Sequence, residues 1–187
     1  MPAKKSLPLR PALLALGTAL ALVPWVPVRA KAPDPIHSAE SAAPKEIAAK
    51  ATVLAMNADG SMKVLRKGSN NFTCLPDNPA TPGPDPMCAD AIAMEWVGQW
   101  VARKPPNRNR PGFIYMLAGG TDASNTDPWA KNPSQGHDWV HTGPHVMLVG
   151  IGPETLAGYP TAKRPDTRQG YVMWAGTPYA HLMLPVR

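Results

Sequence analysis

Only two cysteines occur in 187 residues, and they are not spaced as CxxC, so a thiolate zinc site lacks its ligands. No second long apolar run follows the one near the N-terminus, and nothing after it offers the roughly 20 residues that a membrane-spanning helix needs. Walker and dinucleotide-binding glycine patterns are missing. No serine stands in a G-x-S-x-G turn, which leaves Ser124 without the context of an activated nucleophile. His137 and His141 have the HxxxH spacing, but the residue after His137 is Asp138, not the Glu that metalloprotease helices use.

What is present begins with the first thirty residues. Lys4, Lys5 and Arg10 form a basic start, Ala12 to Val23 an apolar core, and Val28-Arg29-Ala30 ends in short residues. That layout is a secretory signal peptide over 1–30, cut after Ala30. Pro24 and Pro27 stop the apolar helix, and no cysteine near the cut offers a lipid anchor. The mature chain is then Lys31 to Arg187, periplasmic or secreted and not membrane-spanning. The leader carries four basic residues and no acid. Its removal leaves fifteen basic against thirteen acidic residues. With so small an excess no nucleic-acid partner is expected, since phosphate binding needs a basic face. One cluster survives in Arg103, Lys104, Arg108 and Arg110, read as a solvated helix end and loop.

Cys74 and Cys88 read as a disulfide in an oxidising compartment, closing a loop that holds five prolines. The mature length suits one domain with a real core. Residues 31–44 are small, polar and proline-flanked and read as a flexible leader to a single globular domain over 45–187. A hairpin is expected around Asn57-Ala58-Asp59-Gly60. Asp85-Pro86 reads as an N-cap followed by proline at the first helical position. Ile92, Trp96 and Trp100 then recur every four residues beside Ala93, Val97 and Val101. Four apolar segments follow: GFIYMLAGG, HVMLVGI, YVMWAG and HLMLPV. The fold class is therefore α+β: a mainly antiparallel sheet, one principal helix over about 86–104 packed on it, and long Pro-rich loops.

Candidate chemistry is sparse. His145-Val146-Met147 and His181-Leu182-Met183 are both His-x-Met, and residues two apart share a strand face. Were the strands neighbours, His145, Met147, His181 and Met183 would suit copper(I); core packing by gap-filling methionine is the competing reading. Asp122, Asn125 and Asp127 offer oxygen ligands to calcium or, equally, loop-forming turns. Trp129, Trp139 and Tyr179 are candidates for a shallow aromatic ligand site. Glu95 on the helix is either a buried acid or an exposed charge. The stretches GSNNFTCLPDNPATPGPDPMCADAIAMEW, GGTDASNTDP and YVMWAGTPYAHLMLPV resemble a family of uncharacterised exported bacterial proteins. That resemblance implies export and carries no activity, ligand or catalytic residue.

The leading functional expectation is an exported binding protein for a soft metal ion or small molecule. A periplasmic enzyme of hydrolase-like activity and an envelope interaction protein are the alternatives. N-terminal sequencing of exported protein should begin at Lys31; an intact Met1 would refute the leader.

Overall fold

Short apolar runs recur along the chain, and strands dominate the structure. The computed structural model describes residues 34–81, 83–131, 133 and 138–186; the leader read as a signal peptide and His137 lie outside them. Two short helices, α1 (Pro35–Glu40) and α2 (Lys45–Ala48), precede strands β1 (Thr52–Met56), β2 (Met62–Arg66), β3 (Phe72–Leu75) and β4 (Met87–Asp90). The principal helix α3 (Ala91–Val101) leads to β5 (Gly112–Met116) and to the small pair β6 (Ala123–Ser124) and β7 (Trp139–Val140). Then come β8 (His145–Val149), the turn of helix α4 (Pro153–Leu156), β9 (Tyr171–Met173) and β10 (His181–Pro185).

Eight strands form one sheet in the order β2-β1-β3-β4-β5-β8-β10-β9, and β6 with β7 form a second. The β1/β3 pair is parallel; the other neighbours are antiparallel. The fold is thus α+β with a mostly antiparallel sheet. The expected hairpin closes β1 onto β2: the Gly60 N–H bonds to Asn57 O at 3.0 Å, with Gly60 at φ 83°. All four C-terminal segments are strands of the main sheet.

Two expectations need correction. The helix does not begin near 86. Met87–Asp90 is a strand held between β3 and β5, and the N-cap is Asp90, whose Oδ1 accepts the Ala93 N–H at 2.7 Å. Its other oxygen accepts from the Phe113 N–H at 3.0 Å, so one carboxylate caps α3 and pins β5. Gly112 lets them approach: a Cβ there would stand 2.5 Å from Ala93 N. Asp85 instead closes the proline-rich loop, accepting from Asn78 N–H and the Thr81 hydroxyl. Nor is the described part of 31–44 a flexible leader. Asp34 caps α1, Ala39 and Ala42 are fully buried, and Leu117 N–H bonds to Ala42 O at 2.9 Å. Arg66 fastens this segment from the sheet side by pairing with Glu40 and donating to Ala48 O and Ala51 O.

Cys74 and Cys88 are direct partners across β3/β4 and are bridged, with an S–S distance of 2.04 Å. The bridge is a rung of that hairpin rather than a tie to the start of a helix. It lies in a cluster with Val53, Ala39 and Ala48, beneath α1 and α2. On the other face, Ala89, Ile114, Met183 and Tyr171 join Trp96 of α3 in the largest core cluster. Among the described residues no helix is long and apolar enough to cross a membrane.

Trp96 is 4% exposed and packs near Trp100, Trp174, Tyr179 and His181. Trp96→Ala should cost roughly 3–5 kcal/mol in urea unfolding. Val101, on the same helix but 70% exposed, should tolerate alanine within about 0.5 kcal/mol. Equal losses at the two positions would contradict this packing.

Candidate functional site

Strand pairing sets out the inner face of the sheet residue by residue. A continuous row of direct partners runs Ala89–Ile114–Met147–Met183–Tyr171 across β4, β5, β8, β10 and β9. One step toward one end of the strands, Met116 faces His145, which also faces Pro185. One step toward the other, His181 faces Met173. Because alternate residues share a face, the methionines and histidines of these rows line one side together. A cavity of about 210 Å³ lies above them. Its walls include Met87, Met116, Met147, Met173 and Met183, with Trp96, Trp100 and Trp174 and the Gly120–Thr121 turn. A larger cleft of about 870 Å³ shares Trp100, Thr121, Ala123 and Trp174 with this chamber.

All four expected copper(I) ligands, His145, Met147, His181 and Met183, line the chamber. The register does not gather them around one ion. Met147 and Met183 are partners, but the histidines stand at opposite ends of that pair. Four strand residues separate their levels, about 13 Å at roughly 3.3 Å per residue. Each ring is also tethered to its own strand: His145 Nδ1 to Gly143 O at 2.6 Å and His181 Nδ1 to Tyr179 O at 3.0 Å. Among the described residues no group of three or more His, Cys, Asp or Glu is placed to hold a metal.

A backbone carbonyl only accepts, so each Nδ1 carries the proton and each neutral ring keeps its lone pair on Nε2. His181 is 1% exposed, and its Nε2 is buried without a hydrogen-bond partner. Complete burial pushes its imidazole down to about 4, against the Tyr179 hydrogen bond, with His145 adding in the same direction. Burial also lowers His145, partly offset by its bond to Gly143. Both rings are therefore neutral at pH 7. Gly120 makes room for one of them, since a Cβ there would stand 2.7 Å from His145 Cε1.

Trp174 completes the chamber in an unusual conformation, with φ 57°. An aromatic residue in this region is a steric outlier. Its backbone N–H bonds to Asn125 O and its indole Nε1 to Ser124 O, both at 2.9 Å. Asn125 is itself 2% exposed and donates through Nδ2 to Ala162 O and Lys163 O. Such strain is held by surroundings that over-determine it and clusters at binding sites.

The calcium reading of Asp122, Asn125 and Asp127 gives way to loop architecture. Asp127 accepts the Trp129 N–H, Asp122 accepts the Thr142 N–H, and Ser124 Oγ accepts the N–H groups of Thr126 and Asp127. The aromatic trio is only partly assembled. Trp129 and Tyr179 meet edge to face at 5.3 Å, but Tyr179 is buried, and Arg103 covers the Trp129 ring at 4.7 Å. Trp139 lines the large cleft, whose lining includes neither of them. Glu95 is an exposed partner of Arg110 at 2.7 Å rather than a buried acid. His141, 83% exposed, approaches Asp122 Oδ1 through Nδ1 at 2.7 Å.

Sequence reasoning passed over Met87, Met116, Met173 and Trp174 as site residues. The repeat YMLAG, VMLVG and VMWAG carries a signal for Met116 and Met173, which it aligns in sequence with Met147.

The shift at His181 has a consequence for stability. The unfolded ring takes its proton near pH 6.5, the folded one only near 4. Between these values the unfolded state binds more protons. The contribution is complete above about pH 6.5 and is lost toward pH 4 at roughly 1.4 kcal/mol per pH unit. Urea unfolding of the His181→Gln variant should show a shallower loss across this window than the wild type. Identical slopes would contradict the burial.

Comparison of the chain with protein-family models, with curated proteins and with solved structures gives no match.

Proposed function

We propose that this chain is a binding protein of an oxidising, extracytoplasmic compartment, and that its ligand occupies the chamber between α3 and the sheet. The observation that carries this is the chamber itself: about 210 Å³, with five methionines and three tryptophans in its wall, and with His181, whose Nε2 is buried and unpartnered, among its lining residues. Apolar pockets with a few convergent polar groups are the usual form of small-molecule sites. The adjoining cleft supplies an approach. The Cys74–Cys88 bridge supports the compartment, and the resemblance to exported bacterial proteins agrees with it. Among the described residues neither chamber histidine is hydrogen-bonded to a carboxylate or hydroxyl, as a general base would be; both spend Nδ1 on backbone carbonyls.

One contact favours a second, hydrolase-like reading: His141 against Asp122, where the carboxylate lines the large cleft. The exposed ring leaves this pair in water, where it gains little from a dry site.

Native mass spectrometry of protein purified without denaturant from its own compartment tests the binding reading. Folded ions should carry a noncovalent organic mass, and a Met147→Trp variant that fills the chamber should lack it. Bare ions from both proteins, together with ester or amide hydrolysis lost in His141→Ala, would favour the second reading instead.

A further inference from the structure

Resting on that binding reading, we propose that the chamber selects a small planar apolar molecule of the phenol or indole class, which donates one hydrogen bond to His181 Nε2. Size sets the first limit. An engineered apolar cavity of about 150 Å³ takes up benzene, so about 210 Å³ admits one ring or a fused pair.

Wall chemistry sets the second. Five methionines, one from each of five strands, line the chamber, and thioether sulfur makes favourable contacts with aromatic rings, often at the ring edge. The indoles of Trp100 and Trp174, 5.2 Å apart, add aromatic surface shared with the cleft. Methionine walls also adapt to shape without supplying a charge. Asp85, the acid on the chamber wall, already has its two oxygens engaged by Asn78 N–H and Thr81 Oγ1. Nothing there calls for a cationic ligand.

His181 sets the third limit and makes the site selective. Its ring cannot turn freely, because Trp96 and Trp174 flank it in T-shaped contacts, centroids 5.4 and 4.9 Å away, and Tyr179 O holds Nδ1. What it presents is an acceptor alone. A buried acceptor left unmade is costly, so a ligand that supplies the missing proton is preferred over an equal-sized one that does not. Thr121 Oγ1 is also buried without a partner and also belongs to a residue of the chamber wall.

Intrinsic tryptophan fluorescence and calorimetry of the purified full chain test this with phenol, toluene and anisole as probes. The three share a ring, but only phenol has a proton to donate. Phenol should bind one to one, about tenfold or more tighter than toluene or anisole. His181→Phe should erase that ranking, and Met147→Trp should abolish uptake of all three. The ranking in wild-type protein decides the matter even if His181→Phe fails to fold. Equal binding of the three probes would overturn the hydrogen-bond selection while leaving the chamber as the binding site. No binding of any probe would overturn this ligand class, and the native mass measurement would then show separately whether the chamber is a site at all. Copper(I) held by wild type and lost on Met116→Leu and Met147→Leu would overturn it in favour of a soft ion.

Discussion

The register of β5, β8 and β10 is the constraint on which the rest of the molecule turns. Ile114, Met147 and Met183 are direct partners on neighbouring strands, and a slip of one residue would send all of them to the opposite face. With them would go Met116, His145 and His181, and the chamber would lose its floor. The same register places Leu148 opposite Leu182, in the separate cluster that Leu156 of α4 completes behind the sheet. Both faces are thus buried by one alignment, which explains why these strands read as nearly continuous apolar runs rather than as alternating ones.

Around that floor the chain spends unusual local structure on the roof. Asp90 caps α3 and holds β5 with a single carboxylate, so the helix carrying Trp96 is anchored to the strand beneath it. Trp174 is kept in a left-handed conformation by the hydrogen bonds it donates to the carbonyls of Ser124 and Asn125. Asn125 ties that segment in turn to the 162–163 backbone. A polar loop is therefore what positions an apolar wall. Asp122 and Asp127, which suggested an ion site, accept backbone N–H groups in shaping it, and Asn125 spends its Nδ2 there.

Some of this was legible and some was not, for reasons that differ by residue. The strand over 145–149 and the helical spacing of Trp96 and Trp100 are local periodicities that a short window contains. The helix start was misplaced because Asp85-Pro86 satisfies the capping rule by itself. Pairing of 87–90 with strands on both sides moves the start to Asp90, and no local preference encodes that pairing. The segment 34–44 looked featureless because its buried residues, Ala39 and Ala42, are small. Its order comes from the sheet face it covers and from Arg66, which lies beyond α2 and a whole hairpin. The shared face of His145, Met147, His181 and Met183 was readable from their spacing; their failure to meet at a point was not, because it depends on which residue of β8 faces which of β10.

The amino-acid pattern alone was enough for the α+β class, the β1–β2 hairpin, the pairing of the chain's two cysteines and the identity of the four C-terminal strands. Each of these is written in neighbouring residues or in a count. The tertiary structure alone decided the strand order β5-β8-β10-β9, the conversion of 87–90 from helix to strand, and the isolation of His181 Nε2 beside an apolar chamber. These depend on contacts between segments far apart in the chain, where burial and register outweigh local propensity.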